Sequence, residues 1–277
     1  SYSGVTFRGF RDSGNVFYDG VRGDPYSGFS VPRLFNVERV EVLKGPAAAL
    51  YGGGEPGGMI NYVTRKASFE SSKELVMTAG DDSLWGASLD STGAISDSVA
   101  YRLGGFYEEK DSFRVNADHA NLMLGGGLLF EISEDTMLEA HIDYVDQDLG
   151  GHRLRGAFVN DSGSFIVDPS YNTNEKSDYQ NLEAIVAQST LKHKFSDSLS
   201  LTATARYLDN EREQAYHEPR GWVDANGDGA KNAEDGVIQR EYRDQYRSNE
   251  ESSFTVDIVK KFTFAGLEHQ FLIGSDY

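Results

Sequence analysis

From Lys73 onward, apolar and polar residues alternate at every second position, the signature of a strand with one apolar and one polar face. Leu138, Ala140, Ile142 and Tyr144 are interleaved with Glu139, His141 and Asp143. Leu199, Leu201, Ala203, Ala205 and Tyr207 are interleaved with Ser200, Thr202, Thr204 and Arg206. Leu122, Leu124, Gly126, Leu128 and Phe130 form a third such face. The pattern predicts strands near residues 73–80, 84–94, 99–108, 120–132, 136–147, 183–195, 199–209, 252–263 and 267–277. Several reach the roughly 9–11 residues that a tilted membrane-spanning strand requires.

The connections sort by length. Ser96-Asp97-Ser98, Ser133-Glu134-Asp135, Ser196-Asp197-Ser198 and Ala265-Gly266 are tight turns. The connections between them, Glu109–His119, Asp148–Leu182 and Asn210–Glu251, are long and polar, and Asp81–Ser83 is the one short member of that set. Tight turns alternating with long loops are the layout of an outer-membrane barrel. A soluble sandwich has no reason to sort its loops by side. Trp85, Phe106, Tyr107, Tyr144 and Tyr207 fall near the expected outer strand ends, as an interfacial girdle would; sandwich core packing is the alternative for them.

Composition changes this picture little. The 277 residues allow one or two domains, and no cysteine is present to form a disulfide or a thiolate metal site. A formal charge of −18 argues against nucleic acid as a partner. No run of about 18 apolar residues exists to cross a membrane as a helix, which leaves strands untouched by the argument. No secretory signal is visible, and Ser1-Tyr2-Ser3 starts inside a β-pattern, so the chain is expected to be a fragment.

The N-terminal part reads differently. Phe35–Lys66 holds a short strand (Val37, Arg39, Val40, Val42), a Lys-Gly-Pro turn, a small Ala-rich helical turn, a glycine-dense loop and a second strand, Met59–Thr64. Five glycines and a proline lie between Gly52 and Gly58, which makes a tight loop because β-patterns border it closely. This string, FNVERVEVLKGPAAALYGGGEPGGMINYVTRK, resembles the plug-domain signature of TonB-dependent outer-membrane receptors, in particular those for ferric siderophores. FRGF (Phe7–Phe10) and YDGV (Tyr18–Val21) sit where that family has its other plug motifs, and YRLGGFYEEKDSF (Tyr101–Phe113) adds to the siderophore likeness.

The resemblance implies a mainly β fold: a transmembrane antiparallel up-and-down barrel of about 22 strands closed by an N-terminal α/β plug, of which this chain would hold about nine strands. The expected division is plug to residue 66, a linker over 67–72 and barrel from 73 to 277. It implies active uptake of ferric siderophores across the outer membrane of a Gram-negative bacterium, with outer-membrane lipid around the barrel. The TonB energy-coupling complex would engage a box that these residues do not contain. Cobalamin, heme and oligosaccharide importers share the plug string and stay open as alternatives; so does a soluble calcium-binding β-domain. No Ser/His/Asp or paired-carboxylate arrangement supports an enzyme.

Two groups of residues are candidates for chemistry. Asp224, Asn226, Asp228, the carbonyl of Ala230, Asn232 and Asp235 follow the D-x-[DN]-x-[DN]-G calcium-loop spacing, with Gly229 at the sharp turn. Lys231 stands where such loops prefer an apolar residue, and no clear helix flanks the segment. A solvated acidic turn is the other reading, since Asp, Asn and Gly are good turn formers. The second group follows from the resemblance: Arg8 and Tyr26 fall where related receptors present residues to the chelate, or, for Arg8, where a lumen carboxylate would hold the plug. Arg39 and Lys44, with Glu38 and Glu41, are expected to form plug–barrel ion pairs. The six histidines lack metal-ligand spacing, and His141 with Asp143 is expected to line the lumen.

Overall fold

In the computed structural model, residues 5–7, 10–12, 16–26, 33–45, 58–153, 158–160 and 162–277 are described. Arg8, the Ala-rich turn after Gly45 and most of the glycine-dense loop lie outside them.

The N-terminal part forms two small sheets. β1 (Val5–Phe7) pairs with β2 (Phe10–Asp12). β3 (Val16–Tyr18), β4 (Val21–Arg22), β5 (Val37–Lys44) and β6 (Gly58–Thr64) form a four-stranded inner sheet in the order β4-β3-β6-β5. β3 and β6 are parallel, and β5 returns antiparallel to β6.

The remainder is one antiparallel meander of nine strands. In order these are β7 (Ser72–Ala79), β8 (Trp85–Ser96), β9 (Val99–Lys110), β10 (His119–Ser133), β11 (Thr136–Leu149), β12 (Tyr179–Ser196), β13 (Leu199–Trp222), β14 (Ile238–Phe264) and β15 (Leu267–Asp276). Every strand pairs with its neighbours in sequence, and the register carries the expected alternation through the sheet. Leu124, Tyr144, Ile185 and Asp209 share one cross-strand row on the outer face. Arg206 and Leu208 occupy the inner face between Ala205, Tyr207 and Asp209.

The outer face is a band of exposed apolar side chains that includes Leu75, Met77, Leu89, Leu103, Ile142 and Phe254. An apolar band of this extent suits lipid and would be an aggregation hazard in water. Above it the outer face turns acidic: Asp146, Glu183 and Glu211 lie in one row, and Asp209 faces Glu250. Charge is tolerated at that height because its cost falls toward the membrane surface.

At the opposite end three of the four tight turns repeat one construction. Ser96, Ser133 and Ser196 each accept through the side chain from the N–H two residues on, and each turn carries a register shift. A carbonyl from each turn then accepts from the strand beyond: Ser98 from Glu131, Asp135 from Lys194 and Ser198 from Lys261.

Three expectations are corrected. Asn210–Glu251 is not mainly a loop, because β13 and β14 stay paired out to Trp222 opposite Ile238. Only residues 223–237 form the connection. β12 likewise begins at Tyr179, which shortens the connection before it. Polar residues such as Glu211, Arg212, Glu213 and Gln214 carry the pattern of a loop, yet a hairpin that rises above the apolar band needs no apolar face. Phe106 does not belong to a girdle: it points inward and stacks on Phe35 of the N-terminal part at 5.6 Å.

Candidate functional site between the inner sheet and the wall

The inner sheet packs against the inner face of the nine-stranded wall, and the side chains that join them are mostly polar. Asp19 organises one end. It sits in the left-handed region (φ 49°), followed by Gly20 at φ 81°, as a tight turn between β3 and β4 requires. Its carboxylate accepts from the Thr64 N–H (2.9 Å) and the Thr64 hydroxyl (2.7 Å), which ties the turn to the end of β6. Lys66 lies 3.0 Å from the same carboxylate and 2.7 Å from Glu139 on β11, so one ammonium joins the inner sheet to the wall. Burial alone would raise the Asp19 pKa; Lys66 and the two Thr64 hydrogen bonds outweigh it and hold the carboxyl below the usual range.

A second set lies beside it. Asn36 donates to Asp143 (2.8 Å) and accepts from Arg102, whose guanidinium is held by Asp90. Arg65 reaches Asp90 at 3.7 Å. Two wall glycines make this approach possible. A Cβ at Gly125 would stand 2.7 Å from the Asp143 carboxylate and 2.9 Å from the Asn36 amide. One at Gly104 would stand 3.2 Å from the Phe35 ring. The inner sheet therefore rests in a hollow that only glycine leaves open.

Toward the acidic rim, Arg33 pairs with Glu108 at 2.6 Å and lies 3.1 Å from His119. Tyr26 is only 2 % exposed; its hydroxyl contacts the Met123 sulfur at 3.8 Å, within a cluster that includes Tyr18, Val145, Leu182 and Ala184. Burial raises the pKa of both Tyr18 and Tyr26, so both rings stay neutral. Asp24 accepts from the Tyr26 N–H, yet burial raises its pKa against that bond and against Arg206 and Arg212. A cavity of about 30 Å³ lies between Asp19, Tyr26, Asn36, Met123, His141 and Asp143.

The expected site residues fall in different places. Tyr26 is sealed beneath Met123 rather than open above it, and Arg8 lies outside the described residues. His141 and Asp143 do face inward, against the inner sheet. Arg39 pairs with Glu41 (2.9 Å) and Glu38 on its own strand, and Lys44 is exposed; among the described residues neither bridges to the nine wall strands. Arg33, Arg65 and Lys66 make ion pairs to the wall instead. The sequence held one signal for this seat: glycines at inward positions of otherwise regular strands.

The calcium-motif residues lie at the tip of the β13–β14 hairpin and are largely engaged by their own loop. Asp224 accepts from the N–H groups of Gly227 and Gly229, and Asp228 from that of Ala230. Asn232 caps a 3₁₀ turn, Ala233–Asp235, and Asp235 accepts from Ala225, Asn226 and Asn232. These backbone bonds, that from Asn232 foremost, hold Asp235 below the usual carboxylate range. Among the described residues, no three His, Cys, Asp or Glu side chains converge as a metal-binding group.

Comparison with known proteins joins these features. Residues 1–59 match the family profile of the TonB-dependent Receptor Plug Domain. The whole chain is 29 % identical to the ferrioxamine receptor of Yersinia enterocolitica and spans 38 % of that protein. It is 28 % identical to the ferripyoverdine receptor of Pseudomonas aeruginosa, over 97 % of this chain and 33 % of that one. The crystal structure of the siderophore receptor PiuA from Acinetobacter baumannii matches all of the chain with a TM-score of 0.85 at 22 % identity, over 39 % of its own length. At that identity the likeness establishes the fold. The chain thus spans between a third and two-fifths of these proteins.

Proposed function

We propose, for a chain that is part of a TonB-dependent outer-membrane receptor, that the parent protein actively takes up ferric siderophores. Residues 1–66 would be the plug, 67–72 the linker and 73–277 part of the barrel. The observation that carries the reading is the seating of the inner sheet: a small domain rests against a lipid-facing wall through ion pairs and hydrogen bonds set beside an apolar cluster around Tyr26 and Met123. Each polar contact is a separate bond of about 1 kcal/mol net, so the seat can be released one contact at a time. The names of the relatives, receptors for ferrioxamine and ferripyoverdine, support the substrate class. TonB, driven by the proton-motive force, would supply the pull. Arg8 would offer a cationic contact to an anionic chelate. Tyr26, packed under Met123, would support that surface from below.

The test uses the full-length receptor and the fluorescence of Trp85 and Trp222, the two tryptophans of this stretch. Titration with ferric hydroxamates, ferric catecholates, heme and cobalamin should give saturable quenching with one ferric chelate class. Response to heme or cobalamin alone would keep the family and overturn the substrate.

A finer reading concerns residues 224–235. The oxygens of Asp224, Asn226, Asp228, Ala230, Asn232 and Asp235 form a hard donor set at calcium-loop spacing, and Asp235 stays ionised. Because the loop's own amides already shape it, Ca²⁺ would stiffen the hairpin tip rather than fold it. Asp224→Asn with Asp228→Asn should abolish Ca²⁺-dependent protease protection of residues 210–250. Equal protection of the parent receptor with and without Ca²⁺ would sink the idea.

A further inference from the structure

β13 grips the turn that follows β3 at two points. Arg206 donates from Nη1 to the main-chain carbonyl of Val21 (3.1 Å), and Asn210 donates from Nδ2 to that of Pro25 (3.2 Å). The two donors stand four residues apart on the inner face of β13, about 13 Å along the strand. Both are 4 % exposed. The segment between their acceptors follows the wall closely. Gly23, at φ 133°, lies so near it that an added Cβ would stand 3.3 Å from Glu251 and 3.6 Å from Arg206. Asp24 accepts from the Tyr26 N–H across Pro25, forming a local turn whose carbonyl is the one Asn210 takes. The Arg206 guanidinium also lies over the Tyr18 ring, 5.9 Å from its centre.

We propose that Arg206 and Asn210 are positioning residues: they latch the turn Asp19–Tyr26 to β13, and the lumen opens only when this turn peels away. The ionic seat around Asp19, Lys66 and Glu139 lies on β11, at the start of this segment, whereas the latch lies along its length and on a different strand. Its acceptors are main-chain atoms, so changing Val21 or Pro25 side chains leaves the acceptors in place, and only the wall can lose the grip. Losing either donor removes a buried hydrogen bond that only the closed arrangement makes.

The latch rests on the transport reading for its consequence, but its test needs no siderophore. Purified full-length receptor in planar bilayers should remain closed at rest. In Arg206→Met/Asn210→Leu, which removes both donors, channel openings should become roughly tenfold more frequent, as expected when two buried hydrogen bonds are lost from the closed state. Heat-modifiable gel migration confirms that the barrel is folded. Arg206→Lys, which keeps a cationic donor, should stay near the parent. Asn210→Ser, a milder change, should raise openings to an intermediate level and serves if the double variant does not fold. A folded double variant, or a folded Asn210→Ser, that stays as closed as the parent overturns the latch. Failure of every chelate in the fluorescence titration would overturn the substrate reading while these openings still report on the latch.

Discussion

Two aspartates in one turn are driven in opposite directions, and this fixes their response to pH. Asp19 is depressed by Lys66 and Thr64, so its stabilising contribution is present above the ordinary carboxylate pKa and is lost as pH falls through its lower folded value. Asp19→Asn keeps a residue that tolerates φ 49° but removes the charge facing Lys66. It should weaken the inner sheet by about 1–2 kcal/mol at neutral pH. The gap to the parent should persist at about pH 5 and close below about pH 4. Asp24 is raised by burial, so its charged form costs stability at neutral pH, and that cost fades as pH falls through the raised value. Asp24→Asn keeps an acceptor for Tyr26 and should be neutral to stabilising at pH 7. Denaturant-dependent proteolysis of the inner sheet in the full-length receptor, followed against pH, measures both. These residues were not legible as a seat. The sequence shows Asp19 as part of a YDGV string, but Lys66 and Glu139 stand 73 positions apart and meet only through the fold.

Strands were the most legible level, and their limits show where reading by pattern stops. Alternation located all nine wall strands, because lipid on one side and lumen on the other impose a strict period of two. It lost β13 and β14 above the apolar band, where both faces are polar and the period vanishes. It also placed Phe106 with the girdle, because an aromatic at a strand end looks the same whichever face it occupies. The glycines of β9 and β10 carry a prediction at this scale. Gly125→Ala would bring a methyl into the Asn36–Asp143 bridge, which has no room for it. The variant should fold as a barrel but release the inner sheet at lower denaturant than the parent. Gly126→Ala, whose Cβ would make ordinary contacts with Leu103 at 3.6 Å and the Arg102 carbonyl at 3.9 Å, should behave as the parent does.

For the molecule as a whole, the two faces of the wall should respond oppositely to charge. Ile142 lies in the outward apolar band at 54 % exposure. Ile142→Arg should cost about 2–4 kcal/mol of membrane stability if the site lies near the bilayer midplane. Thr202 lies on the inner face in the same cross-strand row as Lys192 and Asp257. Thr202→Arg gains Asp257 as a neighbour and should insert as the parent does. Folding yield of the full-length receptor into vesicles, read by gel migration, compares the two. Equal loss in both variants would refute the assignment of faces.

The linkage of each serine turn to the strand beyond it has a consequence for ancestry and engineering. Every serine turn stitches its own hairpin to the next one, and no wall strand reaches past its neighbour in sequence. A hairpin is therefore a stave that can be copied or cut out with its stitching intact. Removing β10 and β11 as a pair would leave β9 facing β12 in the antiparallel sense, with the inward and outward faces preserved. Lineages built on such a wall can change their girth by duplication or loss of hairpins. What does not scale with girth is the hollow at Gly104 and Gly125, which is cut to one particular occupant.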